Sequence, residues 1–232
     1  PVVQESRGER IAFWREGEHL EGAMCRGEQM ILRHPRWGEE VYDLRGMRLR
    51  GAHNRENLMA AALAARCAGA TKDGIQAAIE GFGGLAHRQE ELGIWRGVRY
   101  VNDSKATTPD SALRAVEACA EKGERLRLLL GGRSKGTGFS GLREAVLRDV
   151  EKLYVFGEAR AEIMRDLGGW VETGEYASME EALDAAALEA KQGEIVLLSP
   201  ACASFDAFES FVHRGEVFGR WFRALCLGSV AK

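Results

Sequence analysis

Histidine is scarce. The 232 residues hold five, none spaced HxxxH or HExxH, so no zinc site is evident. Cysteine is just as sparse: Cys25, Cys67, Cys119, Cys202 and Cys226, with no CxxC pair. An odd count in a chain too long to need staples argues for reduced thiols and a cytoplasmic protein. No apolar run of eighteen residues occurs, so nothing spans a membrane as a helix. The start, PVVQESRGER, lacks the apolar stretch of a signal peptide. The net charge of −3 gives no basic footprint for nucleic acid. A phosphate loop of the form G-x-x-x-x-G-K-[ST] is missing from the whole sequence. There is no internal repeat and no low-complexity tract.

What remains is ordinary globular composition, 45% hydrophobic and 29% charged. A chain of this length forms one large or two small domains and buries roughly 70% of its unfolded surface. The first fifty residues read as short strands, IAFWRE, HLEGAM and EQMILR, separated by Gly-containing breaks as in a β-meander. GAHNRENLMAAALAARCAGAT follows as an Ala-rich helix with Gly69 as its stop. TKDGIQAAIEGFGG is a second helix, capped near Thr71 or Lys72.

At Gly83-Gly84-Leu85-Ala86-His87 the texture changes. Strand and helix signals alternate from there. WRGVRYVND, RLRLLLGG, KLYVFG and IVLLSP read as strands. PDSALRAVEACAEKG, GLREAVLRDV, ARAEIMRDL, MEEALDAAALEAKQG and DAFESFVHRGEVFGRWFRALC read as helices. This pattern predicts an α/β fold, a Rossmann-like and mostly parallel sheet with helices on both faces. LRLLL and IVLLS are near-continuous apolar runs, as central parallel strands require. The domain boundary is placed near residue 85, giving domains 1–85 and 86–232.

Ligands in such sheets sit at the carboxyl ends of strands. The residues there are NDSKAT, GGRSKG, GEAR and SPACAS. In YVNDSKATTPDS, Lys105 stands where a strand meets a helix N-terminus, a combination that favours an anion. Thr108 and Pro109 fit an N-cap followed by Pro at the first helical position. Ser104 and Thr107 can donate to carboxylate or phosphate oxygens. Asp103 can orient Lys105, or hold a ribose or a magnesium-bound group. An ordinary capped turn with a surface lysine fits the same residues. In LLLGGRSKGTGF, Gly131 and Gly132 let backbone approach a ligand and Lys135 adds charge; a flexible turn also fits. In EIVLLSPACASFDAFESF, Ser199, Ser204 and backbone amides form a candidate anion site. Asp206 and Glu209 are spaced as a capping box. Cys202 has no nearby histidine, which argues against a thiol nucleophile. Asn54 and Asn57 lie three apart on one helix face and can satisfy the edge of a purine, or Asn54 can cap the helix. Arg88, beside His87, can clamp a phosphate or pair with Glu90 or Glu91.

HNxxN on an Ala-rich helix, then HRxE, NDSKAT, GGxxKG and LLSPACASFD, in this order over about residues 50–226, resembles the Mur ligase family. Within it the resemblance is to the members that add D-glutamate. NDSKAT and SPACASFD are the specific motifs; HNxxN and GGxxKG are shared more widely. The resemblance implies an ATP-dependent ligase of cytoplasmic peptidoglycan precursor synthesis. In such an enzyme the acyl carboxylate of UDP-N-acetylmuramoyl-L-alanine is phosphorylated, and the amine of D-glutamate attacks it, with Mg2+ stabilising the transferring charge. It implies that Asn54 and Asn57 meet adenine, and that Arg88 and Asp103 contact ribose or phosphates with His87 beside them. Lys105 and Thr107 then lie near the amino acid and the phosphoryl group. Lys135, Ser204, Phe205 and Phe211 form the D-glutamate pocket.

Two positions depart from the family pattern. Thr108 stands where Asn is common, and still caps. Arg133 stands where an acidic residue is common, which alters the charge around Lys135. By the same resemblance, the phosphate loop, the magnesium ligands and the modified lysine lie upstream. Residues 1–85 are then the back part of the central ATP-binding domain, with Pro1 as a cut point, and the 232 residues alone turn over no ATP. The full-length protein is expected to be a monomer. The rival expectations are another amino-acid-adding ligase and a non-catalytic Rossmann-like anion-binding module.

Overall fold

The computed structural model describes residues 11–14, 21–49 and 51–228. Pro1 and the rest of PVVQESRGER, the end of IAFWRE and the start of HLEGAM lie outside them. The chain divides into two units, Pro1–Gly83 and Gly84–Lys232.

In the first unit, β1 (Phe13–Trp14), β2 (Gly22–Arg26), β3 (Gln29–His34) and β4 (Gly38–Asp43) form a sheet in that order. β2, β3 and β4 pair antiparallel, but the expected meander of IAFWRE, HLEGAM and EQMILR holds only for the last two, because β1 runs parallel to β2 and the third antiparallel strand is β4, GEEVYD, which was not among the expected strands. Helix α1 (Ala52–Cys67) ends as its glycine predicts. Gly69 takes φ 96°, its N–H reaches the Arg66 carbonyl, and the Ala70 N–H reaches that of Ala65. This 5→2 and 6→1 pair is a Schellman stop. Helix α2 (Lys72–Gly81) starts with Thr71 accepting from Gly74 N at 3.1 Å. Met30, Leu32 and Tyr42 of the sheet pack with Met59, Leu63, Ile75 and Ile79 of the two helices.

The second unit carries β5 (Glu90–Trp95), β6 (Val98–Asn102), α3 (Pro109–Cys119), β7 (Leu126–Gly131), α4 (Arg143–Asp149), β8 (Val150–Phe156), α5 (Arg160–Leu167), β9 (Glu172–Glu175), α6 (Met179–Glu189), β10 (Ile195–Leu198) and α7 (Phe211–Cys226). Sheet order is β5-β6-β10-β7-β8-β9. β6 through β9 are parallel, and β5 is the antiparallel edge. Alternate residues of one strand feed opposite cores. Leu128, Leu130, Ile195 and Leu197 face one way with Val116, Val146 and Ile163. Leu129, Val196 and Leu198 face the other with Leu183, Phe218 and Trp221. Burial on both faces is why these strands read as unbroken apolar runs.

Three expectations need correction. WRGVRYVND is not one strand: Arg96 and Gly97 turn with φ 49° and 76°, and Val98 pairs with Trp95. Two central residues with positive φ make a tight primed hairpin turn, which Asn-Gly signals more plainly than Arg-Gly. β9 was not expected, because ETGE is a polar edge strand with no apolar alternation. The final helix begins at Phe211 and not at Asp206. Its cap is Ser210, which accepts from His213 N at 3.0 Å, so Asp206 and Glu209 are no capping box.

The chain steps from β6 to β7, outward to β9, then back to β10 between the first two. That reversal puts the carboxyl ends of β6, β10 and β7 side by side. A crevice is expected at such a switch point.

Candidate functional site at the carboxyl edge of the sheet

Three loops meet at this edge, and each has a local reason for its shape. After β6, Asp103 N donates to Leu198 O at 2.8 Å and Ala106 N to Asp103 O at 2.9 Å, closing a turn. Thr108 then caps α3, accepting from Ser111 N, with Pro109 at the first helical position, as its sequence predicts. After β7, Gly131 and Gly132 have φ 155° and 126°. A Cβ on Gly131 would overlap the Phe156 carbonyl, and one on Gly132 that of Ala203. Glycine is therefore required for the close approach of this loop to its neighbours. After β10, Ala201 holds φ 59° without being glycine, a strained conformation of the kind that concentrates at functional loops. Arg133 and Ala203 exchange backbone hydrogen bonds of 2.8 and 3.0 Å, joining the second loop to the third.

One residue that sequence reasoning passed over pins all three. Arg214 is 0% exposed, and no salt bridge to it occurs among the described residues. Its guanidinium donates to Ser104 Oγ (3.0 Å), Ser104 O (2.8 Å), Cys202 O (3.2 Å) and Gly131 O (3.4 Å). Desolvation by burial pulls its pKa down to about 10, against the opposing charge of Asp206, so it stays charged at neutral pH. A signal did exist. Arg214, Phe218, Trp221 and Leu225 recur at helical spacing on the buried face of α7.

Asp103 is nearly buried as well. Its carboxylate accepts from Ser199 Oγ at 2.8 Å and Gln89 N at 3.2 Å. Desolvation raises its pKa to about 7, against the lowering by these two bonds and by the Arg88 charge. Ser199 therefore spends its hydroxyl on Asp103 and is not the free anion donor expected of it.

The ammonium groups sit differently. Lys135 Nζ donates to Thr107 Oγ1 at 3.1 Å. Lys105 Nζ lies 4.3 Å from the centre of the Phe211 ring, a cation–π distance. No ion pair of either lysine occurs among the described residues. Arg133, by contrast, pairs with Glu158 through Nε and Nη2 at 2.9 and 3.1 Å. Glu158 thus neutralises Arg133 locally. Ser104 Oγ donates to Phe211 O at 2.8 Å, tying the start of α7 to the β6 loop. Lys105 N donates to His87 O at 3.0 Å. Arg88 is exposed next to it. Ser204 is buried and Phe205 is 64% exposed on the loop after β10. Cys202 is buried, and desolvation pushes its thiol up to about 12, which makes it unfit as a nucleophile. Asp206 accepts from Glu158 N at 3.2 Å, while its Oδ1 is buried with no hydrogen-bond partner.

The second unit thus brings together His87, Asp103, Lys105, Thr107, Lys135 and Phe211, with Ser204 and Phe205 on the adjoining loop. Asn54 and Asn57 belong to the first unit. They sit in the first turns of α1, whose N-cap is Gly51 and not Asn54. Asn57 Nδ2 lies 3.5 Å from Asn54 Oδ1. Both border a cavity of about 330 Å³ that is otherwise apolar, with Leu58, Ala61, Ile79 and Phe82 on its wall. No group of three or more His, Cys, Asp or Glu able to hold a metal stands together among the described residues. No helix among them is long and apolar enough to cross a membrane.

The family model described as Mur ligase, glutamate ligase domain, matches residues 87–202. The chain is 40% identical over 224 residues to the UDP-N-acetylmuramoylalanine--D-glutamate ligase of Bdellovibrio bacteriovorus, covering 94% of this chain and 47% of that protein. To the ligase of the same name from Syntrophus aciditrophicus it is 40% identical, covering 96% of this chain and 49% of that one. The chain spans about half the length of these curated relatives. Among solved structures, the UDP-N-acetylmuramoylalanyl-D-glutamyl-2,6-diaminopimelate--D-alanyl-D-alanyl ligase of Acinetobacter baumannii superposes with a TM-score of 0.65 at 14% identity. That match covers 92% of this chain and 46% of that one, and it shows the shared fold.

Proposed function

Because the chain belongs to the Mur ligase family, we propose that it forms the amino-acid-accepting part of an ATP-dependent ligase. That ligase joins D-glutamate to UDP-N-acetylmuramoyl-L-alanine in cytoplasmic peptidoglycan precursor synthesis. The observation that carries this reading is the pair Lys105 and Lys135. Each ammonium rests on a neutral group, the Phe211 ring or the Thr107 hydroxyl, at the carboxyl edge of the sheet. Cations without local counter-ions suit an incoming dicarboxylate and a transferring phosphoryl group. The names of the relatives supply the amino acid.

In this reading Lys135 and Ser204 bind a carboxylate of D-glutamate, and Thr107 orients Lys135. Phe205 and Phe211 wall the aliphatic part of the amino acid. Lys105 stands at the phosphoryl group, and the Phe211 ring holds its ammonium in place. Arg88 supplies an exposed cation for the nucleotide. Asp103 holds that loop to β10 through Ser199 and can meet the ribose with its remaining lone pairs. His87 stands beside them. Asn54 and Asn57 offer amide donors and acceptors at the mouth of an apolar cavity, a setting that suits adenine. When bound, ATP would supply the phosphoryl group that activates the acyl carboxylate, and magnesium would neutralise charge on it. The described residues hold no carboxylate cluster to which magnesium is assigned. The neutral amine of D-glutamate attacks the activated carbonyl carbon, a C–N bond forms, the acyl C–O bond to phosphate breaks, and the nitrogen releases a proton to water as phosphate leaves.

The test is ADP release by the gene product that carries these residues, given UDP-N-acetylmuramoyl-L-alanine and a panel of amino acids. Release with D-glutamate alone is expected. The 232 residues alone, which contain no G-x-x-x-x-G-K-[ST], are expected to release none. Release with a different amino acid keeps the ligase class and overturns the pocket assignment. No release with any amino acid overturns the reading in favour of a binding module.

A further inference from the structure

Asn102 closes β6, and its side chain is buried. Its Oδ1 accepts from Ser104 N at 3.2 Å, which fixes the orientation of the amide. Nδ2 then faces three groups: His87 Nδ1 at 3.0 Å, Gly215 O at 3.2 Å and Glu90 Oε2 at 3.3 Å. An amide nitrogen donates and does not accept. A hydrogen bond to it therefore requires a bare Nδ1 on His87, with the ring proton on Nε2. Glu90 Oε2 is the competing influence, but it lies 3.6 Å from Nδ1 and already accepts from His87 N at 2.9 Å.

The ring is held in that place from several sides. His87 has φ 62°, a left-handed backbone conformation that its neighbours must enforce. Any Cβ on Gly215 would overlap the imidazole, so α7 must offer glycine there. α7 otherwise presents the uncharged Phe211 ring, edge-on at 6.5 Å. From β5 the charged group is Glu90. From the β6 loop, Lys105 meets His87 with its backbone N–H, while its ammonium rests on Phe211. Near Nδ1, Asn102 is the donor.

We infer that Asn102 is a positioning residue that holds His87 as the Nε2–H tautomer, so that the ring presents an N–H donor to an acceptor oxygen of the bound nucleotide. The role toward nucleotide rests on the proposed function; the tautomer does not. If Asn102 merely stitched β6 to α7, its bonds to Ser104 and Gly215 would suffice, and the state of the imidazole would not depend on it.

The experiment uses the natural protein, labelled with 15N-histidine, and reads the His87 ring nitrogens in long-range 1H–15N spectra without nucleotide. The proton is expected on Nε2. Asn102→Asp keeps the shape but turns a donor into an acceptor, and is expected to draw the proton to Nδ1. The same variant is expected to raise the KM for ATP about tenfold, the loss of one hydrogen bond to a charged oxygen. Its kcat at saturating ATP should stay within about twofold, since only binding is affected. Glu90→Gln should leave the tautomer where it was, and it decides the matter together with the unmutated protein if Asn102→Asp does not fold. A proton on Nδ1 in the natural protein, or one that moves in Glu90→Gln, overturns the assignment. A moved proton with an unchanged KM overturns the role. Absence of ADP release from the natural protein sinks the ligase reading and the nucleotide role with it, while the spectrum still tests the tautomer.

Discussion

The two edges of the Gly84–Lys232 sheet treat buried charge in opposite ways. At the amino edge, Arg127 is 4% exposed and its Nε meets Glu194 Oε2 at 2.6 Å, with Tyr154 Oη at 2.8 Å from Nη1. Lys152 on β8 bridges Glu172 and Glu189, both at 2.9 Å. At the carboxyl edge, Arg214 is held by carbonyls and one hydroxyl, and Asp103 by a hydroxyl and an amide. Outside the buried set, half-buried Lys105 rests on a ring and exposed Lys135 donates to a hydroxyl. Buried charge that is locally neutralised serves the fold. Charge that is hydrogen-bonded but not neutralised stores electrostatic potential at the cost of stability, and that potential is available to a ligand. In the proposed reading, the charges that a ligand meets lie at the carboxyl ends of the strands, beside the Arg133–Glu158 pair, while the paired Arg127 and Lys152 lie at the amino ends.

The comparison is broken most severely at the amino edge. Arg127→Leu leaves Glu194 buried without its cation and should cost about 3–5 kcal/mol. Urea unfolding would show it, and the KM for D-glutamate in the remaining folded protein should not move.

Asp103 gives the next largest effect, and its sign is set by the direction of its shift. Burial pushes the folded carboxyl up to about 7 from the ordinary aspartate value of 3.8. Between these values the folded state holds a proton that the unfolded state has lost, so stability falls as pH rises from about 4 to about 7. On the order of 2–4 kcal/mol is at stake. Asp103→Asn should flatten this part of the urea-midpoint profile, and an unchanged slope would mean that Asp103 is ionised throughout.

Arg214→Lys keeps the charge and removes the fork that spans three loops. It should cost about 1–2 kcal/mol of stability, and should lower ligase activity more than tenfold because Ser104 and Cys202 lose their common anchor. Equal activity in a folded variant would show that the loops hold their places without it. The smallest effects belong to the helix caps. Ser178 caps α6 by accepting from Glu181 N at 3.1 Å, and Thr108→Ala and Ser178→Ala should each cost about 1 kcal/mol, measured by thermal melting.

The fold was legible wherever local chemistry decides it. LRLLL and IVLLS could only be strands buried on both faces, and Thr108-Pro109 and Gly69 marked helix ends by the conformations they allow. β9 escaped because its stability comes from the ladder to β8 and not from its own ETGE. The Arg96-Gly97 hairpin escaped because its turn type is set by two backbone angles that Arg adopts only under tertiary constraint. At the proposed site, Lys105, Thr107 and Lys135 could be picked out as candidates from their loops, but their partners could not. Lys135 and Thr107 are 28 residues apart, Asp103 and Ser199 are 96, and Arg214 and Ser104 are 110. Such pairings exist only once β10 has been inserted between β6 and β7. Arg214 lay on the apolar stripe of α7, where its charge made it look like a surface residue.

The most direct test sets the two edges against each other through the KM for D-glutamate in the natural protein. Lys135→Ala at the carboxyl edge should raise it by about a hundredfold, the loss of a charge-assisted contact to a carboxylate, while Lys152→Ala at the amino edge should leave it unchanged. Equal effects from the two lysines, or none from Lys135, would contradict the assignment of the carboxyl edge as the acceptor site.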